Sequence, residues 1–205
     1  MGRYYNCRMK RKIRVGLDFD GVVAYNPMRI FRAWVAFLKH RILGIRKLRF
    51  WYPKYNWQKF MWVIIHESSI FPAAGSELLA YLAENNLIEA HLVTARYSFL
   101  DDALRKWLKK YKIEHVFKTI SLNTNDEQPH LFKKKIINKF RLDYFIEDNY
   151  DIVNYLSPKN PSKIYWIYNI FDRWYDYPEK YPYLEKALRA ICQKEKIKIK
   201  AGYAR

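Results

Sequence analysis

The sequence predicts an α/β fold in which a mainly parallel sheet is covered by helices on both faces. Short apolar runs typical of buried strands recur along the chain, at residues 13–19, 89–94, 116–122, 142–147 and 163–168. Between them, apolar residues recur at helical spacing, at residues 76–86, 98–111, 130–140 and 150–156. Because strands that alternate with helices pair in parallel, we expect a three-layer sandwich.

The segment after the first strand departs from this alternation. Residues 28–43 and 56–66 both show helical spacing, and the stretch between them contains Gly44 and Pro53, which favour a loop. We therefore predict that residues 22–72 form a small helical cap, inserted into a core that residues 1–21 and 73–205 make together.

The chain of 205 residues has a net charge of +18, from 38 basic and 20 acidic residues. The predicted cap holds nine of the basic residues, one acidic residue and twelve aromatic residues, whereas residues 73–162 are nearly balanced. The C-terminal KEKIKIKAGYAR is predicted to be a solvated tail or a frayed helix end. Such a positive surplus favours an anionic partner: nucleic acid, an anionic membrane surface or a phosphorylated small molecule.

The composition also excludes several classes of protein. Half of the residues are apolar, so the chain can bury a core and its charge does not indicate disorder. No stretch approaches the roughly 20 uncharged apolar residues of a membrane span. The basic start leads directly into the first predicted strand, so we do not expect export. Cys7 and Cys192 give neither a metal-binding spacing nor a disulfide framework, and a cytoplasmic location is expected.

Acidic residues follow two of the predicted strands. Asp18 and Asp20 end the first strand, two residues apart and therefore on one face. Glu147 and Asp148 end the fourth strand, with Asp151 close behind. Because the carboxyl ends of parallel strands share one edge, the two clusters can converge on a hard cation such as Mg²⁺. Each cluster taken alone fits a solvated strand end or a helix cap equally well.

A hydroxyl and a group of lysines accompany these acids. Thr94 ends the second strand where the next helix begins, and the N–H groups there favour an anion. The alternative is that Thr94 caps this helix, a position for which Ser98 competes. Lys133, Lys134 and Lys135 lie near the start of a helix, where cations are mildly unfavourable. A lysine run is usually solvated, but a neighbouring anion would compensate one of the three.

Taken in order, these residues resemble the motifs of the haloacid dehalogenase-like (HAD) superfamily of aspartyl phosphatases, whose core is Rossmann-like. The matching motifs are DFDGVV after the first strand, LVTAR at 92–96, a lysine about ten residues before a strand, and FIEDNYD at 145–151. The helical insertion directly after DFDGVV and the FIEDN ending are most similar to the 5′-nucleotidase group of the deoxyribonucleotidase type.

The resemblance implies a role for each matched residue. Asp18 is the nucleophile that forms an aspartyl-phosphate, and Asp20 protonates the leaving oxygen and then activates water. Mg²⁺ is held by Asp18, the backbone carbonyl of Asp20 and Asp148. The supporting residues are Glu147 and Asp151 as auxiliary acids, and Thr94, Ala95, Arg96 and Lys133 as contacts to the phosphoryl group.

Two of these assignments carry alternatives. Arg96 is either a substrate contact or part of a salt bridge at the start of a helix. Spacing from the following strand favours Lys133 over its two lysine neighbours. The presence of Asp20, which the dehalogenase branch lacks, favours phosphoryl transfer over cleavage of a carbon–halogen bond.

The resemblance therefore implies a Mg²⁺-dependent phosphomonoester hydrolase that acts on a nucleotide or a similar small phosphate ester. Two other functions remain open: the same chemistry on a phosphorylated nucleic-acid end, and non-catalytic binding of nucleic acid on this scaffold. In this superfamily an insertion after the first motif selects the substrate, and the candidates here are Arg29, Arg32, Arg46, Lys47 and Arg49. The aromatic stretch 51–62 could equally form an interface patch instead of a substrate surface.

Overall fold

The computed structural model describes residues 11–27, 48–67 and 69–200. Its strands, in chain order, are β1 (Ile13–Leu17), β2 (Ala24–Tyr25), β3 (Phe71–Pro72), β4 (Ile88–Tyr97), β5 (Thr119–Asn123), β6 (Tyr144–Glu147), β7 (Lys163–Ile167) and β8 (Lys180–Tyr181). Six of them form one sheet in the order β5-β4-β1-β6-β7-β8, and each neighbouring pair is parallel. The predicted α/β class and its mainly parallel sheet are confirmed.

The described helices are α1 (Asn56–Glu67), α2 (Ser76–Glu84), α3 (Asp101–Lys110), α4 (Pro129–Phe140), α5 (Tyr150–Leu156) and α6 (Leu184–Lys194). All but α6 were predicted within a few residues, whereas the predicted helix at 28–43 lies outside the described residues. The clearest pattern, that of α3, also has two aspartates in its first turn and two lysines in its last, which suits the helix dipole. No helix in the described ranges is long and apolar enough to cross a membrane.

Apolar side chains pack on both faces of the sheet, which makes the three layers. On one face, Val15 and Leu17 of β1 belong to a cluster that includes Leu82 of α2 and Leu188 of α6. The cluster on the opposite face includes Val93, Phe145 and Trp166 from the strands, and Ile137 and Val153 from α4 and α5. Because successive strand residues point to opposite faces, the apolar runs read from the sequence are buried on both sides.

The C-terminal segment corrects one sequence prediction. The helix α6 buries Leu184, Leu188 and Ile191, and after it Ile197 and Ile199 still pack against the first cluster. Residues 194–200 are therefore not a solvated tail. The pattern IKIK puts an isoleucine at every second position, so that one side of the segment is apolar and faces the core.

A short antiparallel ribbon stands at the two ends of the predicted cap. In it, β2 pairs with β3 through Ala24 with Pro72 and Tyr25 with Phe71. Val22 and Val23, just before the ribbon, are fully buried in the main core. The ribbon thus brings residues 71–72 back beside residues 24–25. The division into a core and a cap at residues 22–72 stays a prediction.

Candidate active site

The sheet order brings the predicted site residues together. Since β4, β1 and β6 are neighbours, the residues at their carboxyl ends share one edge of the sheet. The amide of Asp18 donates to the carbonyl of Ile146 at 3.0 Å, which ties the end of β1 to the end of β6. This edge of the sheet is therefore the candidate site.

Three buried carboxylates meet at this edge. Oxygens of Asp18, Glu147 and Asp148 all lie within 4.8 Å of one another. Asp18 and Asp148 are 5% exposed and Glu147 is fully buried. Asp151, predicted to be an auxiliary acid, is not part of this cluster; it stands in the first turn of α5, where its amide donates to the side chain of Asn149.

Lys133 enters the same cluster from helix α4. Its ammonium lies 2.6 Å from Glu147 Oε2 and 3.0 Å from Asp18 Oδ1, and its side chain is 3% exposed. Lys135, by contrast, pairs at the surface with Glu127. Of the three adjacent lysines, Lys133 is therefore the one that the structure brings to the acids.

The cluster holds more negative charge than one lysine can balance. Burial raises the pKa of Glu147 to about 8, and the neighbouring Asp18 carboxylate adds to the rise. Burial also raises the pKa of Asp18, against the influence of the Lys133 ammonium. Burial lowers the pKa of Lys133, but the two carboxylates outweigh it and raise this pKa above its ordinary value. The ammonium is thus charged among crowded acids.

This excess of buried oxygen ligands fits a hard divalent cation. Carboxylate oxygens are the ligands that Mg²⁺ takes in proteins, and a bound cation would remove the repulsion among them. Asp18, Glu147 and Asp148 therefore fit the predicted metal. Asp20 contributes no carboxylate oxygen to the cluster of three found among the described residues.

Gly21 lets the first and last motifs approach each other. After β1 the amides of Val22, Val23 and Ala24 all face the carbonyl of Phe19, in a tight turn. Gly21 lies in this turn at φ +85°, a conformation that favours glycine. A Cβ atom built on it would lie 2.1 Å from Asp148 Oδ2. The carboxylate of Asp148 thus packs directly against Gly21.

We expect Gly21→Ala to displace Asp148 and weaken Mg²⁺ binding, at a cost of about 1–3 kcal/mol in the free energy of unfolding. Calorimetric Mg²⁺ titration and urea unfolding measure the two effects. The matched control is Gly16→Ala, whose Cβ would meet the core side chains Leu142 and Phe145 instead. It should lose stability but keep its Mg²⁺ affinity. Native affinity in Gly21→Ala would contradict the assignment of Asp148.

Asp20 is held by an arginine rather than by the acid cluster. Arg96 Nε donates to Asp20 Oδ2 at 2.8 Å, and Arg96 Nη2 donates to Asp20 Oδ1 at 2.6 Å. Arg96 was predicted to contact substrate or to form a salt bridge at the start of a helix. It does form a salt bridge, but with the second aspartate of the first motif. Its contact to substrate stays a prediction.

Thr94 and Ala95 lie on β4 beside this pair. Thr94 is 1% exposed, and its hydroxyl accepts a hydrogen bond from the amide of Arg96 at 3.3 Å. Neither Thr94 nor Ser98 caps a helix through its side chain. The register with β5 shifts between Thr94 and Tyr97, and such an irregularity re-aims the side chains around it.

The described part of the predicted cap is anchored to the core by polar contacts. The amide of Phe50 donates to Gln128 Oε1, and Gln128 Nε2 donates back to the carbonyl of Phe50. The hydroxyl of Tyr52 bonds to Asp126 at 3.0 Å. Sequence reasoning missed these anchors, because Asp126 and Gln128 stand in a loop whose polar residues look like ordinary turn residues.

The predicted substrate-facing residues are only partly described. Arg49 is exposed, while Arg29, Arg32, Arg46 and Lys47 lie outside the described residues. Within the aromatic stretch and just beyond it, one exposed face of α1 carries apolar side chains, Trp57, Phe60, Met61 and Ile64.

No protein-family model and no curated protein matches the sequence. Solved structures do match. A HAD-superfamily hydrolase from Ehrlichia chaffeensis aligns with a TM-score of 0.50 at 16% identity, over 90% of this chain and 98% of that chain. A protein provisionally identified as beta-phosphoglucomutase from Thermotoga maritima gives 0.55 at 14% identity, over 88% and 99%. CbbY from Rhodobacter sphaeroides, in complex with phosphate, gives 0.53 at 11% identity, over 86% and 96%. The chain therefore has the fold of the HAD-superfamily hydrolases.

Proposed function

We propose that this protein is a Mg²⁺-dependent phosphomonoester hydrolase that works through an aspartyl-phosphate. The observation that carries the proposal is the buried cluster of Asp18, Glu147 and Asp148 with Lys133, at the carboxyl ends of β1 and β6. A nucleophilic carboxylate, a lysine and oxygen ligands for a cation meet there within a few ångströms. This set suits the transfer of a phosphoryl group to a carboxylate.

In the first step, a carboxylate oxygen of Asp18 attacks phosphorus and the bond from phosphorus to the leaving oxygen breaks. Asp20 gives its proton to that oxygen, so that the product leaves as an alcohol. In the second step, Asp20 takes a proton from water as the water oxygen attacks the phosphorus of the aspartyl-phosphate, and the bond from phosphorus to the Asp18 oxygen breaks. Inorganic phosphate leaves, and Asp18 and Asp20 return to their starting forms.

The other predicted residues support these steps. Asp18, the carbonyl of Asp20 and Asp148 would hold Mg²⁺, which when bound offsets the charge of the phosphate dianion. Glu147 pairs with the Lys133 ammonium and so holds it beside Asp18, the nucleophile. Thr94, Ala95 and Lys133 would bind the phosphoryl oxygens. Asp151 would be an auxiliary acid in the first turn of α5.

For the substrate we propose a nucleotide or a similar small phosphate ester. Support comes from the resemblance of the DFDGVV insertion and the FIEDN ending to 5′-nucleotidases, and from the basic, aromatic character of residues 22–72. Aromatic rings can stack on a base while Lys and Arg hold phosphate oxygens. The same features favour a second candidate, hydrolysis at the phosphorylated end of a nucleic acid.

A panel of phosphate esters tests the proposal. Nucleoside monophosphates, sugar phosphates and oligonucleotides with terminal phosphates are incubated with Mg²⁺ and with EDTA, and released phosphate is measured. We expect Mg²⁺-dependent release, highest for nucleoside monophosphates. A preference for oligonucleotide ends would select the second candidate. Absence of phosphate release from every ester, at any Mg²⁺ concentration, would refute the proposed activity.

A further inference from the structure

Two of the three guanidinium nitrogens of Arg96, Nε and Nη2, bind groups of the protein. Besides its two bonds to Asp20, Nη2 donates to the carbonyl of His66 at 2.9 Å and lies 3.3 Å from Ser69 Oγ. Its carbon stands 4.6 Å from the ring centre of Phe19. The side chains of Arg96 and Asp20 are only 4% and 7% exposed. A substrate anion could take Nε and Nη2 only by removing the cation from a buried carboxylate, which is costly.

Residues near the end of the predicted cap also contact Asp20 and Arg96. Ser69 Oγ donates to Asp20 Oδ1 at 2.6 Å, and the His66 carbonyl comes from the last turn of α1. Asn26, which follows β2, adds a longer contact of 3.4 Å to Asp20 Oδ1. Both ends of the insertion thus reach the carboxylate of Asp20, and Arg96 joins them to β4.

We infer that Arg96 is a positioning residue: it fixes the carboxylate of Asp20 in two bonds so that this group can exchange a proton with the leaving oxygen, and Ser69 assists it. The inference rests on the proposed function. It assigns Nε and Nη2 of Arg96 to the acid rather than to the substrate. The planar guanidinium bonds to both carboxylate oxygens and so restricts rotation of the Asp20 carboxylate. A single bond from a lysine would not do so.

Leaving-group dependence tests this inference. Phenyl phosphate has a leaving oxygen that needs a proton, whereas the dinitrophenyl ester of similar shape does not. We expect Arg96→Gln to lower kcat/KM for phenyl phosphate by about 100-fold or more, with the dinitrophenyl ester little changed. Arg96→Lys should restore part of the loss, Ser69→Ala should show a smaller loss of the same kind, and the control Arg189→Gln on α6 should show none.

Two outcomes would overturn the inference. Equal losses on both esters, carried by KM, would make Arg96 a substrate contact after all. Equal losses carried by kcat, with no rescue by Arg96→Lys, would make it merely structural. Either result would still leave hydrolysis by the native protein intact, so the proposed function would survive.

Melting temperatures test the pairing without any substrate. Because an unpaired buried charge is costly, Arg96→Gln alone should melt below the double variant Asp20→Asn/Arg96→Gln. Equal or additive shifts would show that the two residues are not coupled, which would overturn the inference. If the native protein releases phosphate from no ester of the panel, the proposed function fails, while this comparison of melting temperatures still decides whether Arg96 holds Asp20.

Discussion

Asp18→Asn is expected to lower the turnover of phosphate esters by about 10⁴-fold or more, because it removes the nucleophile on which the covalent route depends. The variant should remain folded. Burial raises the pKa of Asp18, so its ionised form costs stability at neutral pH, and the amide removes one of the three crowded acids. We therefore expect a melting temperature at or above that of the native protein.

Steady-state phosphate release and thermal unfolding measure the two effects. The matched control is Asp102→Asn, which removes an exposed carboxylate from the first turn of α3. It should leave turnover unchanged. Native turnover in Asp18→Asn would exclude Asp18 as the nucleophile, and an unfolded variant would show that its charge is needed for the fold.

Lys133→Met is expected to reduce the free energy of unfolding by about 3–5 kcal/mol, because it leaves buried carboxylates without their cation. The ammonium contacts both Asp18 and Glu147, and none of the three side chains is more than 8% exposed. Adding Glu147→Gln to this variant should recover part of the stability, since it removes one of the unpaired charges. Urea unfolding in EDTA measures the effect free of any compensating metal.

The matched control for this prediction is Lys135→Met, two residues along the same helix. Its pair with Glu127 lies at the surface, where ion pairs contribute about 0–1 kcal/mol. If Lys133→Met proves no more harmful than Lys135→Met, then Lys133 is not the buried partner of the acids.

Much of the fold follows from local patterns. The strands β1, β6 and β7 are apolar runs buried on both faces, and α3 shows one apolar face over its whole length, so each was predictable. The short strands β2, β3 and β8 were not, because two residues carry no periodicity. The helix α6 was not predicted, although Leu184, Leu188 and Ile191 follow helical spacing.

The candidate site likewise has features that the sequence predicts and features that it does not. The sequence order predicts that Asp18 and Asp148 converge, because both follow strands that end at one edge of the sheet. The pairing of Arg96 with Asp20 could not be predicted. It depends on the irregular register near the end of β4 and on Ser69, which stands 49 residues beyond Asp20. A contact between residues so far apart in the sequence arises only in the folded chain.

Trapping the covalent intermediate tests the central claim most directly. Native protein is mixed with Mg²⁺ and the best ester of the panel and quenched in acid within one turnover, and its peptides are analysed by mass spectrometry. The proposal predicts one phosphoryl group on the peptide that contains residues 15–23, located at Asp18 and absent from Asp18→Asn. Steady turnover with no phosphoryl group on the protein, or with one on another residue, would contradict it.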